Sequence, residues 1–311
     1  MSLSDRRQRD RLFSRPWFAT AVAACVAFSM LPASAATYTW KNSGTSTDFN
    51  STLNWNTTAP VAGDYGVFAG AASVQPTLTA SGTVAGLIFS GTNYTLSGPA
   101  STLTLTSTAS GATAAALVFT GSYNTVSTNL FLNATSGTQF VQFTASTPNS
   151  GTAAILSGAI SGGNANARLA IGGVNNSVAR VLLLSNTGNS FDSRVVFNGS
   201  KTQITRLGAA GGNSSLGTNG TLEFAAGDGI APVLEYLGAG ETSDKNFMFS
   251  NAGVYGGQIV TGSTAGPLTL TGSFFSTATG AKTLTLNPLS AAGTITLTGL
   301  VSDGAAGSLG I

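Results

Sequence analysis

The sequence predicts an all-β chain: a parallel β-helix or β-solenoid of short Thr/Leu strands joined by Gly and Asn turns. Three observations predict it. The clear patterns have period two, as in Leu103-Thr104-Leu105-Thr106, Leu268-Thr269-Leu270-Thr271, Leu284-Thr285-Leu286-Asn287 and Ile295-Thr296-Leu297-Thr298. Alternation of that kind puts Leu and Ile on one face and Thr on the other, the pattern of a half-buried strand. The runs then stop at Gly, Asn or Pro, as at Thr271-Gly272, Asn287-Pro288 and Thr298-Gly299, residues that supply a positive φ or a fixed kink. Finally, the chain repeats itself: AGLIFSGTNYTL at residues 85–96 returns thirty positions later as AALVFTGSYNTV at 115–126. Units of about 20–45 residues, each too small to bury its own apolar face, are the signature of a solenoid or propeller. A propeller blade needs four strands and a recurrent motif in about 40–45 residues, and no such motif recurs.

Taken in chain order, residues 1–35 read as a signal peptide. Arg6, Arg7, Arg9, Arg11 and Arg15 form a basic leader, an apolar run follows from Trp17 to Leu31, and Ala33-Ser34-Ala35 closes it. Signal peptidase reads that order of charged, apolar and small residues, so cleavage is placed after Ala35, with Ala33, Ala35 and Ala36 at the cut. The run is too short to span a bilayer comfortably. Arg6-Arg7 suggests a twin-arginine signal, but Gln8-Arg9-Asp10 follows where an apolar pair belongs. Val22-Ala23-Ala24-Cys25 resembles a lipoprotein site, yet the apolar run continues past the cysteine. Residues 36–80 read as an N-terminal capping segment in which Trp40 and Trp55 either plug the open end of the first coil or stack on carbohydrate.

Residues 81–311 read as the stacked coils. Leu222-Glu223-Phe224 is echoed by Leu234-Glu235-Tyr236, and the last three Leu-Thr or Ile-Thr strands follow one another at 16 and 11 residues, so the later units read as shorter copies. At about 20–30 residues per coil and about 4.8 Å per strand spacing, the exported chain stacks into a rod about 45–65 Å long.

Composition excludes several functions. Only 8% of the 311 residues are charged, against about 25% in ordinary soluble domains, so no basic surface exists to neutralise phosphates and nucleic acid is not an expected partner. There is no histidine, and the one cysteine, Cys25, lies in the leader. His-based triads, the commonest zinc sites and a disulfide framework are therefore excluded, and no cofactor or metal is expected. Without residues 1–35 the chain keeps eight Lys or Arg and nine Asp or Glu, with no formal charge between Asp64 and Arg168. Solubility then rests on Thr, Ser and Asn, as in surface proteins that live attached.

Residues 182–199, LLLSNTGNSFDSRVVFNG, resemble the autotransporter-associated β-strand repeat. Leu184-Ser185 matches its strand end, Asn189-Ser190-Phe191 its Asn-Thr-aromatic turn, and Val195, Val196, Asn198 and Gly199 the next strand and turn. The stretch from Ser215 to Leu222 is similar to the segment that follows in such proteins, so a degenerate repeat spans about 181–224. Near the start, Trp40, Asn54-Trp55, Pro60 and Asp64-Tyr65-Gly66-Val67-Phe68 resemble their common opening. Asp192 departs from the pattern, where Gly is usual. The resemblance implies a secreted, right-handed β-helical passenger, usually displayed on a diderm cell surface. Its members typically finish with an outer-membrane barrel or sorting tail. LTGLVSDGAAGSLGI instead reads as the lead-in to another repeat, so a fragment is suspected, reaching the outer membrane only through a C-terminal anchor outside it.

Glu223 and Glu235 occupy equivalent places in their strands, and two carboxylates are what a glycosidase needs. The simpler expectation is that both face solvent opposite Leu222, Phe224, Leu234 and Tyr236. The remaining acids are scattered, Gly227-Asp228-Gly229 stands alone without the calcium-binding repeat, and Gly199-Ser200-Lys201-Thr202 lacks the spacing of a phosphate loop. The expectation is a non-enzymatic secreted or surface rod with an adhesive or structural role, contacting polysaccharide, matrix or other cells. A polysaccharide lyase or glycoside hydrolase is the alternative, and it requires Glu223 and Glu235 in one groove.

Overall fold

Period-two strands that end at glycine or asparagine corners can only hide their apolar face by stacking on copies of themselves, and the chain does so by winding into coils. The structure, a computed structural model, describes residues 35–44, 46–110, 115–143, 152–173, 180–225, 230–250, 256–303 and 308–311. Residues 1–34 are not among the described residues, so the signal-peptide reading and Ala33 lie outside them. Ala35 and Ala36 open the described chain in irregular backbone.

Every ladder between described strands is parallel, and strands one coil apart are neighbours in sheets of eleven, nine, four and three strands. One turn of the coil visits three faces. Gly86–Phe89 lies in the eleven-stranded sheet, Thr95–Leu96 in the nine-stranded sheet and Thr102–Leu105 in the four-stranded sheet. Leu117–Phe119 then returns beside Gly86–Phe89. Along the eleven-stranded sheet coils run from 21 residues, between Tyr65 and its partner Gly86, to 30, between Leu87 and Leu117. Along the nine-stranded sheet they run from 20, between Val181 and Lys201, to 32, between Lys201 and Val233. Eleven strands at one spacing per coil give the first sheet a length of about 48 Å.

The thirty-residue repeat is the coil itself: Leu87, Ile88 and Phe89 pair with Leu117, Val118 and Phe119, and Thr95-Leu96 with Thr125-Val126. The shorter echoes are not coils. Glu223 lies in the eleven-stranded sheet and Glu235 in the nine-stranded one, so their strands are two faces of a single turn. Likewise Leu268 pairs with Ile295 on the three-stranded face, while Leu284 stands between them on another. The spacings of 16 and 11 residues therefore add to one coil of ordinary length, because alternation marks a strand without saying which face it occupies.

One continuous core fills the interior from Trp40 to Leu309. Phe68, Phe89, Phe119 and Phe143 stack with centroids 4.8, 5.1 and 5.9 Å apart. The ladder then shifts column: Phe143 faces Gly173, whereas Phe197 faces Ile171 and continues to Phe224 and Phe249. Such offset ring pairs contribute about 0.5–1.5 kcal/mol each beyond their burial.

Corners are set by glycine. A Cβ on Gly91 would lie 1.7 Å from the carbonyl oxygen of Gly70, and one on Gly121 at 1.7 Å from that of Gly91. Only a residue without a side chain lets successive corners approach to strand spacing. Asparagine fastens the same turns. The Asn189 Oδ1 accepts from the Ile160 amide of the preceding coil at 2.9 Å and its Nδ2 donates to the Ser215 carbonyl of the following one at 3.0 Å. Phe191 beside it is fully buried. This is the Asn-Ser-Phe turn, and it replaces a strand: between Ile160–Gly162 and Glu241–Ser243 the third face has no strand among the described residues.

The eleven-stranded sheet begins with Thr37–Thr39 and Tyr65–Phe68, so it runs through the capping segment. Trp40 and Trp55 meet edge to face at 5.3 Å, and Phe49 closes on Trp55 at 5.0 Å. Both indoles donate hydrogen bonds, Trp55 to the Phe49 carbonyl at 2.7 Å and Trp40 to that of Val74 at 3.2 Å.

Candidate functional site

The faces of the stacked strands are the first place to seek a site. Outward positions of stacked strands repeat with the coil, so a residue type placed there forms a column along the rod. On the three-stranded face Thr242, Thr269 and Thr296 are in register. Thr95 and Thr125 form such a pair on the nine-stranded face, and Thr83 and Thr104 on the four-stranded one.

The sequence-predicted residues fall differently from expectation. Trp40 and Trp55 are 2% and 0% exposed, so neither presents a ring face on which a sugar can stack, and the carbohydrate-contact reading of these two is corrected. Their aromatic bodies are used up by Phe49 and Phe68.

Glu223 and Glu235 also depart from their reading as solvent-facing. Both do lie opposite the core residues, yet they are only 2% and 5% exposed. Long cationic stems from other coils lie over them, and such side chains cover surface while keeping their charge wet. Arg194 Nε stands 3.0 Å from Glu223 Oε2 and Arg168 Nε 3.9 Å from the same oxygen. The Ser250 hydroxyl donates to the other carboxylate oxygen. Glu235 Oε2 accepts from Lys201 Nζ at 3.0 Å and from Gln203 Nε2 at 2.9 Å. Gln203 is its directly paired neighbour, the position from which a cross-strand contact is strongest. The two carboxylates thus belong to two faces, each closed by its own partners. Gly227-Asp228-Gly229 lies outside the described residues.

No family model, curated protein or solved structure matches the chain. Its chemistry is therefore argued from its own geometry. No group of three or more His, Cys, Asp or Glu side chains able to hold a metal occurs among the described residues.

Sequence reasoning missed the buried cations. Arg180 and Lys245 are 2% and 0% exposed. Arg180 donates from its terminal nitrogens to the carbonyls of Gly121 at 3.1 Å and Thr120 at 3.0 Å, and burial pushes its guanidinium below the ordinary arginine value. Lys245 Nζ donates to the carbonyls of Asn219 at 2.6 Å and Gly217 at 3.2 Å. Desolvation brings it down to about 8, against the opposing pull of Asp244, Asp192 and Glu241. Acids serve the backbone in the same way: Glu241 accepts from the amides of Leu207 and Gly208 at 2.5 and 3.0 Å, and Asp244 from that of Ala210 at 2.6 Å. Isolated charges in a neutral sequence carry no pattern from which this coil-to-coil bonding can be read.

Proposed function

We propose that the chain is a non-enzymatic β-solenoid passenger of autotransporter type, exported by its leader and displayed at a cell surface, where its faces adhere to polysaccharide, matrix or other cells. The observation that carries this reading is the run of Thr242, Thr269 and Thr296 in register on the outward side of the three-stranded face, with Thr95 paired to Thr125 on the nine-stranded face and Thr83 to Thr104 on the four-stranded one. A repeating surface favours a repeating ligand, since many weak contacts held at fixed spacing add through effective concentration without any single deep pocket. The closure of Glu223 by two arginines, and of Glu235 by Lys201 and Gln203, on separate faces supports the absence of turnover. Neither carboxylate is free to act as acid, base or nucleophile with the other.

The test is a binding assay and a turnover assay on one preparation. Purified protein without residues 1–35 is expected to co-sediment with insoluble cellulose or chitin, or to be retarded by soluble polysaccharide in affinity electrophoresis. It is expected to release no reducing ends or unsaturated sugars after prolonged incubation. Release that disappears in Glu223→Gln contradicts the proposal and makes the chain a carbohydrate-active enzyme.

A further inference from the structure

On the outer side of the eleven-stranded sheet, Arg168 and Arg194 occupy directly paired positions on adjacent coils. Like charges placed opposite one another in a sheet are destabilising, and this chain has only eight basic residues after position 35 with which to make such a pair. Three of the eight, Arg180, Lys245 and Lys282, are spent internally on backbone carbonyls. Lys201 is matched one to one by Glu235. Arg168 and Arg194 are different: two cations share the single carboxylate of Glu223, which leaves one positive charge over.

The geometry of that sharing decides what the excess charge can do. Both contacts are made through Nε, on the inner edge of each guanidinium. The Glu223 side chain is 3% exposed, whereas those of Arg194 and Arg168 are 28% and 47% exposed. The buried carboxylate therefore holds the two arginines from beneath and leaves their terminal nitrogens without a partner among the described residues. A guanidinium held in this way is an outward fork matched to a planar or tetrahedral oxyanion. Two such forks, one strand spacing or about 4.8 Å apart, continue a column whose preceding member is Thr138. A polymer lying along the rod meets hydroxyl, guanidinium and guanidinium at successive coils.

We infer that Arg168 and Arg194, held by Glu223, form an anion-binding subsite for an acidic polysaccharide bearing carboxylate or sulfate groups. The inference rests on the adhesive reading above and names the chemical class that this face selects. The subsite supplies charge selection, while the in-register threonines of the three-stranded face supply area.

The experiment measures affinity of the purified protein for three soluble polymers: polygalacturonate, dextran sulfate and uncharged dextran. One or both of the charged polymers is expected to bind at least about tenfold more tightly than dextran, with affinity falling as salt is raised. Preference for polygalacturonate identifies the carboxylate as the ligand, and preference for dextran sulfate the sulfate. Arg168→Gln is expected to lower that affinity at least about tenfold with an unchanged unfolding midpoint. Arg168→Lys keeps the charge and the contact to Glu223 but lacks the fork, and is expected to lose affinity several-fold, which a merely structural ion pair would not show. The inference is overturned if the charged polymers bind no better than dextran, or if both variants bind as the wild type does. If dextran or other uncharged polymers bind alone, adhesion stands and this subsite falls. If no polymer or insoluble polysaccharide binds, both fall.

Discussion

Gly121→Ala is expected to destabilise the solenoid by at least about 4 kcal/mol, with the midpoint of urea unfolding followed by circular dichroism. The added Cβ would sit 1.7 Å from the Gly91 carbonyl oxygen, with the Gly91 carbonyl carbon at 2.5 Å. Both obstacles are backbone, so neither can swing aside as a side chain would. Relief requires the corner at residues 120–122 to move away from the corner beneath it, which breaks the Gly121 and Thr120 amide bonds to the Phe89 carbonyl, both 2.9 Å. Losses of this size come only from a short set of causes, backbone collision among them. Gly137→Ala is the matched control: Gly137 has φ +78° but no atom within 4 Å of its added Cβ. Its cost is the conformational one alone, about 1–2 kcal/mol. If Gly121→Ala costs no more than Gly137→Ala, successive corners do not approach one another as described.

Raising the pH from about 8 to about 10 is expected to stabilise the protein by about 2–3 kcal/mol. The cause is Lys245, whose folded-state value near 8 lies below its ordinary 10.5 because burial opposes its charge. Below pH 8 both states hold the proton and the folded state carries the full burial penalty. Between 8 and 10.5 the unfolded chain binds the proton while the folded one releases it, so stability rises with pH. Each unit of difference corresponds to about 1.36 kcal/mol. Above pH 10 the trend reverses, because Tyr94 and Tyr236 are held above their ordinary value of 10.0 by burial and the unfolded chain ionises first. Urea midpoints measured from pH 7 to 10 should therefore climb in the wild type and stay level in Lys245→Met. That variant also leaves the Gly217 and Asn219 carbonyls without their ammonium donor, which lowers the whole curve but not its slope. A wild-type profile that is flat or falling over this range contradicts the burial of a charged Lys245.

What the sequence made legible is what depends on neighbours along the chain. Leu103-Thr104-Leu105 announces a strand because inward and outward residues alternate within it, and the glycine at 91 or 121 announces a corner because nothing else fits there. The thirty-residue repeat at 85–126 was also legible, since Phe89 and Phe119 are alike for the same reason that they stack. Face and register were not. Glu223 reads as solvent-facing until Arg194, one coil earlier, and Arg168, two coils earlier, are known to lie across it. The likeness of Leu222-Glu223-Phe224 to Leu234-Glu235-Tyr236 misled because two faces of one coil obey the same inward-outward rule. Trp40 and Trp55 were legible as aromatic plugs or as sugar platforms, and only their burial against Phe49 and Phe68 separates the two.

The central claim is that coils stack in parallel register, so that distance along the rod counts coils and not residues. Thr95, Leu183 and Asn287 lie in one column of the nine-stranded sheet, with three strand spacings from the first to the second and seven from the first to the third. Spin labels at these positions, placed pairwise with Cys25 replaced by Ser, report the separations by electron paramagnetic resonance. The predicted distances are about 14 Å for Thr95 to Leu183 and about 34 Å for Thr95 to Asn287. A Thr95 to Asn287 distance no longer than that from Thr95 to Leu183, or a distribution too broad to assign, would contradict the stacked solenoid.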